Sequence, residues 1–289
     1  PLLVNTDDAG FSAVANWDVG FATVTSVSAW RWWNWDAAND RDYTSIPIQL
    51  IQHIPSRQDQ YSQELRIASN GSHGVEYVAG LYYFAQTIKG EPITGYGPQA
   101  TYWLLGLAPA FPANLLDGYT TDGHTRFHSE SSAVFGEATW HVTDRLSLTG
   151  GLRYTYEDKD GQFDSTVFGG APATGPLLNS KLSILRPQSY RASDRDGSLS
   201  GRASASWAFS DGARAYASFA KASKSGGINM SGLPLDAANS PALATAVVRP
   251  ERNTNYELGL KSELFDRRLV LNVDVFRTRD SKFMVCHSE

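Results

Sequence analysis

Two histidines four residues apart, His124 and His128 in the stretch HTRFH, are the first candidates for chemistry. On a helix such a pair could share a metal ion. HTRFH instead sits in a Gly- and Thr-rich stretch that reads as a loop, with no third ligand in register, so no metal site is assigned. With Arg126 between them, the two imidazoles offer contacts to an incoming anionic ligand. The same connection, Thr87 to Glu130, carries Tyr96, Tyr102, Trp103 and Phe111. Aromatic residues on an outward loop suit a ligand with apolar or sugar faces; the competing expectation is that they pack the loop onto its own rim. SKSGGIN, Ser223 to Asn229, lacks the ending of a phosphate-cradling loop and opens no helix, so it reads as a strand end. Cys286 is the single cysteine and can build neither an internal disulfide nor a thiolate zinc site. No catalytic residue and no cofactor is assigned, and the chain is not expected to be an enzyme.

The elements that would carry these residues are strands. In LSLTGGLRYTYE, Leu146 to Glu157, the large apolar residues Leu146, Leu148, Leu152, Tyr154 and Tyr156 fall on every second position, with Ser147, Thr149, Arg153 and Thr155 between them. That period of two puts one dry and one wet face on the strand. Five paired segments of this kind emerge: Ala9 to Asp18 with Phe21 to Trp33, Gln60 to Ser69 with Val75 to Gln86, Ser132 to His141 with Leu146 to Glu157, Ser198 to Phe209 with Arg214 to Lys221, and Asn255 to Leu264 with Leu269 to Thr278. Within pairs the connections run to about two to five residues, and Asn70-Gly71 is the strongest hairpin signal among them. Between pairs they run to roughly 25 to 40 residues, far beyond what a compact soluble domain carries.

This alternation of short and long connections matches membrane barrels, with tight turns on one rim and long loops on the other. The strands also match the roughly 9 to 11 residues that a tilted membrane strand needs. Aromatic residues near strand ends, Trp140, Tyr154, Tyr156 and Trp207, suit the interfacial girdles of such a barrel. The leucine faces are therefore expected to meet lipid. Glu64, Arg66, Arg153, Arg202, Glu257 and Lys261 fall on the other, lumen-facing side, where cross-strand pairing, a plug or a substrate route could engage them. A mean hydropathy of -0.32 does not oppose a barrel, because alternation averages to a polar value. The most apolar run, Trp103 to Leu116, is too short and too broken by proline for a membrane helix. The 289 residues carry a net charge of -5, which gives no basic surface for nucleic acid.

Several stretches resemble the TonB-dependent receptors of Gram-negative outer membranes: YSQELRIAS (Tyr61 to Ser69), VEYVAGLYYF (Val75 to Phe84), VFGEATWHVTDRLSLTGGLRYTYEDK (Val134 to Lys159), ARAYASFAKASKSGGIN (Ala213 to Asn229) and, most specific, VRPERNTNYELGLKSELFDRRLVLNVDVFRTRDSKF (Val248 to Phe283). The resemblance implies an all-β fold: an antiparallel transmembrane barrel of about 22 strands closed by a plug, of which this chain supplies about ten strands. It further implies residence in the outer-membrane lipid, energy relayed by the TonB complex through the plug, and uptake of a scarce nutrient, foremost a ferric siderophore. No TonB box, no plug and no terminal strand ending in an aromatic residue is found, and the tail MVCHSE does not continue a strand. The chain is thus expected to be an internal piece of the barrel wall, residues 1 to 289, with the plug domain and C-terminal strands absent. Two other classes remain open: a passive barrel such as a porin or adhesin scaffold, and a soluble glycan-binding β-sandwich.

Overall fold

The computed structural model describes residues 2–71, 74–106 and 111–281; Cys286 and the tail after Phe283 lie outside them. Its strands are β1 (Leu3–Asp18), β2 (Ala22–Ala38), β3 (Gln49–His53), β4 (Ser56–Ser69), β5 (Val75–Gly90), β6 (Ile93–Tyr96), β7 (Thr120–His141), β8 (Leu146–Phe168), β9 (Gln188–Ser210), β10 (Ala213–Lys224), β11 (Gly227–Ile228), β12 (Val247–Val248), β13 (Glu251–Leu264) and β14 (Leu269–Ser281). Two short helices, α1 (Ala100–Leu105) and α2 (Gly175–Ile184), lie in the long connections. Among the described residues no helix is long and apolar enough to cross a membrane, which says nothing of strands.

Ten long strands form one antiparallel wall in the order β14-β13-β10-β9-β8-β7-β5-β4-β2-β1. Each of the five expected hairpins is present with its expected partner. The short strands β3 and β6 pair with each other and continue the wall above the ends of β4 and β5, joining the top of β2 to β7. Among the described residues β1 pairs only with β2 and β14 only with β13, so the wall has two bare edges.

Register fixes the two faces. One row of cross-strand partners reads Val75, Trp140, Leu148, Ala205, Ala217, Leu258 and Val275. The next but one on the opposite face reads Val78, Glu137, Gly151, Arg202, Ala220, Asn255 and Thr278. Leu152, Leu199, Leu258 and Val275, all on the first face, are more than half exposed. A continuous apolar band of that size is untenable in water and is what a bilayer solvates. No second sheet covers it among the described residues, so a sandwich is excluded and the leucine face is the lipid face.

Aromatic rings mark both borders of the band. Trp17, Trp140 and Trp207 sit at the tight-turn end, while Phe11, Tyr61, Tyr154, Tyr156, Phe219 and Tyr256 sit toward the long-loop end. Leu148 and Tyr156 are eight residues apart on β8, or about 26 Å along the strand and roughly 20 Å in height at the usual tilt. Of the pair Asn70-Gly71, Gly71 takes positive φ and Asn70 does not. The Asn70 side chain instead donates to Asp18 Oδ1 at 2.7 Å and to the Gly20 carbonyl at 3.2 Å, tying two neighbouring turns together.

Candidate functional site: the lumen face and its loop rim

β7, β8 and β9 run well past the lipid band and carry the long loops on their far ends. On their lumen faces the loops fold back inward as two small cores. Ile48, Ala100, Leu116 and Tyr119 form one, with Tyr96, Val167 and Ile184 against it; Phe163, Tyr190, Leu233 and Ala246 form the other. The second seats the connection between β10 and β13 on the wall. The Gln188 side chain accepts the Leu233 amide at 2.8 Å and donates to the Leu233 carbonyl at 2.7 Å. Tyr190 Oη donates to the Asn229 carbonyl at 2.8 Å, and buried Lys159 donates to the Gly226 carbonyl at 2.8 Å. A side chain at position 161 would meet Met230 and Ile228, so Gly161 is the gap into which this loop settles.

Glu64, Arg66, Arg153, Arg202, Glu257 and Lys261 lie on the wall face opposite the leucine band, and each has a partner. Arg66 pairs with Glu64 at 3.1 Å. Arg202 holds Glu137 through two bonds of 2.6 Å across Gly151, where a side chain would strike the carboxylate. Arg153 lies over the rings of Tyr82 and Phe135 at 5.3 and 5.6 Å. Glu257 accepts the Tyr216 hydroxyl at 2.5 Å, and Lys261 approaches the face of the same ring at 5.6 Å.

The expected loop ligands divide. His124, Arg126 and His128 are not in a loop: they lie on β7, in unbroken pairing with β8, and Arg126 and His128 also pair with β5. The alternation of two carries from Trp140 without a bulge, so all three share Trp140's face and point away from the lumen. There His128 meets Thr87 at 2.9 Å and Glu130 at 3.3 Å, beside an open groove of about 440 Å³ that Arg126, Asp160, Gln162 and Arg191 also line. Among the described residues no group of three or more His, Cys, Asp or Glu could hold a metal. Tyr96 packs into the first loop core, where burial pushes its phenol pKa up. Tyr102 and Trp103 stay exposed on α1, edge to face at 6.3 Å.

One lumen feature was not anticipated. Trp33 and Trp35 stack at 6.0 Å and 11° at the long-loop end of β2, on the same face as Arg66. The run WRWWNW places indoles on both faces, so period alone did not single out this platform.

A barrel wall with a lipid band, a charged lumen and loops folded over one rim can be set beside known proteins. The model of the family described as TonB dependent receptor-like, beta-barrel, matches residues 3–284. The chain belongs to the TonB-dependent receptor family. It is 28% identical over 235 residues to the pesticin receptor of Yersinia enterocolitica, covering 80% of this chain and 28% of that protein. The solved ferric yersiniabactin uptake receptor FyuA from Yersinia pestis superposes with a TM-score of 0.66 at 23% identity, over 95% of this chain and 35% of that one. The siderophore receptor PiuA from Acinetobacter baumannii gives 0.62 at 12% identity, over 94% and 40%. The TonB-dependent receptor wall seen here thus spans little more than a quarter of the curated relative's length, and it resides in the outer membrane of a Gram-negative cell.

Proposed function

We propose that the chain is part of the wall of an energy-coupled uptake receptor, and that its cargo is a ferric siderophore. The observation that carries this is the inward folding of the long loops. Both loop cores lie on or against the lumen face of strands that have left the bilayer, so they narrow a vestibule above the lumen. The Trp33 and Trp35 stack faces the same space and suits a ligand with planar groups. Relatives named as pesticin, ferric yersiniabactin and siderophore receptors support iron chelates as the cargo class.

The bare edges support further strands in the whole protein. Each unpaired backbone group in hydrocarbon costs several kcal/mol, and among the described residues β1 and β14 do not meet to close a ten-stranded barrel. A wider barrel with a plug contacting TonB meets that need. Uptake of radiolabelled ferric siderophores by iron-starved cells, with and without the full-length receptor and with and without TonB, tests the proposal. Uptake that needs the receptor but persists without TonB would favour the passive barrel, and uptake of no iron chelate would remove the cargo assignment.

A further inference from the structure

The lipid face carries a feature that nutrient uptake does not use. Beyond the ring pair Phe219 and Tyr256, centroids 5.1 Å apart, the outward positions of β10, β13 and β14 hold Lys221, Arg252, Arg277 and Arg279. All four are exposed, none makes an ion pair among the described residues, and no carboxylate shares that face of these three strands. The neighbouring strands differ: the outward Arg195 of β9 is neutralised by Asp158 of β8 at 2.9 Å. Four cations on adjacent strands, with no carboxylate of β10, β13 or β14 among them, repel one another unless an anion lies between them. An open recess of about 490 Å³ between Thr254, Tyr256, Arg277 and Arg279 gives such an anion room.

Directly beneath lies an apolar groove of about 790 Å³. Small residues, Ala203, Ala205 and Ala217, form its floor, and Leu148, Leu258 and Val275 rise around it. Tyr256 and Arg277 line both spaces, so groove and cationic recess are continuous. We propose that this is a specific site for a phosphorylated, acylated lipid of the outer leaflet, its acyl chain in the alanine-floored groove and its phosphate held by Lys221, Arg252, Arg277 and Arg279. Guanidinium groups bind phosphate oxygens through paired N–H donors, which suits three arginines to this role. The site lies on the long-loop side, hence in the outer leaflet, and adjoins the lipid band already described.

The test uses the full-length receptor in detergent, with native mass spectrometry of bound bisphosphoryl lipid A as the readout. Wild type is expected to retain the lipid, and Lys221→Gln/Arg277→Gln/Arg279→Gln to lose affinity roughly 100-fold, about fivefold per charge removed. Filling the groove with Ala205→Leu/Ala217→Leu, which leaves every charge in place, is expected to displace the lipid as well. A heat-modifiable gel band and unchanged ferric siderophore uptake show that each variant is folded, and keep failure of this site distinct from failure of the transport proposal. Equal retention by the triple variant, equal binding of fully dephosphorylated lipid A, or displacement by millimolar inorganic phosphate alone would each overturn the proposal, the last by showing a free-anion site.

Discussion

Tyr216 lies flat across Gly259, its direct partner on β13, and that contact makes a quantitative demand. A Cβ built on Gly259 would sit 2.4 Å from Cε1 and Cζ of the ring and 2.5 Å from its oxygen. Two ring carbons and the hydroxyl oxygen are in the way, so no small adjustment of a side-chain tip relieves the clash. Gly259→Ala must swing the ring off the strand, breaking its 2.5 Å bond to Glu257 and its contact with Lys261. Overpacking of this kind costs about 1 to 3 kcal/mol. With Tyr216→Ala already in place the clash is gone, and alanine should then outperform glycine by about 0.5 kcal/mol, the strand preference alone. The two changes are therefore expected to couple by about 1.5 to 3.5 kcal/mol. Urea titration of the full-length receptor in micelles, followed by the heat-modifiable band, measures all four corners of the cycle. Gly150→Ala is the internal control, since it faces lipid with nothing within 4 Å and should cost nothing. A neutral Gly259→Ala, or the same cost in both backgrounds, would refute the reasoning.

Gln188→Ala leaves the buried Leu233 amide and carbonyl without partners, about 1 to 3 kcal/mol localised to the loop. Limited proteolysis between residues 225 and 248 should quicken by at least fivefold while the barrel band is unchanged. Arg153→Ala removes a cation from the rings of Tyr82 and Phe135 on the lumen side; uptake should fall while membrane insertion, read by the gel band, persists, and the reverse outcome would contradict a lumen role. Asp42 accepts the Gln49 amide at 2.9 Å and the Thr44 amide at 2.9 Å, and these bonds hold its carboxyl below the usual aspartate range. Its contribution to loop order is accordingly complete above about pH 3.9 and lost as pH falls through the lower folded value. Amide exchange at Gln49 should show that dependence, and Asp42→Asn should abolish it.

How far each strand could be followed in the sequence depends on what surrounds it. Inside the bilayer the two faces meet opposite solvents, so alternation is strict and the tight-turn ends of the hairpins were legible to within a residue or so. Glu137 and Arg202 show the same point on the lumen side, since partners two strands apart share a face by period alone. Above the bilayer both faces are wet and the constraint vanishes. β7 therefore begins at Thr120, not Ser132, β8 runs to Phe168, not Glu157, and β9 begins at Gln188, not Ser198. HTRFH falls in that blind region, and its glycine and threonine neighbours read as loop although they lie within β7 in continuous pairing with β8. The fold of the loops was illegible for a related reason. Tyr119, Tyr190 and Leu233 are brought together by long-range return of the chain, which no local period records.

The wall and the loops are held by different means. Among the described residues the wall has almost no buried apolar side chains of its own; its order comes from continuous ladders, in particular the unbroken pairing of β7 with β8 and of β8 with β9. Most of the buried apolar residues belong instead to the two loop cores, which touch the ladders through a few anchors such as Lys159, Gln188 and Tyr190. Repacking a loop core alters the vestibule without removing a single ladder bond. Shifting one strand by a residue would instead exchange its lipid and lumen faces along its full length. A wall built this way can change the shape of its loop rim at a cost confined to the loop, while its membrane face stays fixed.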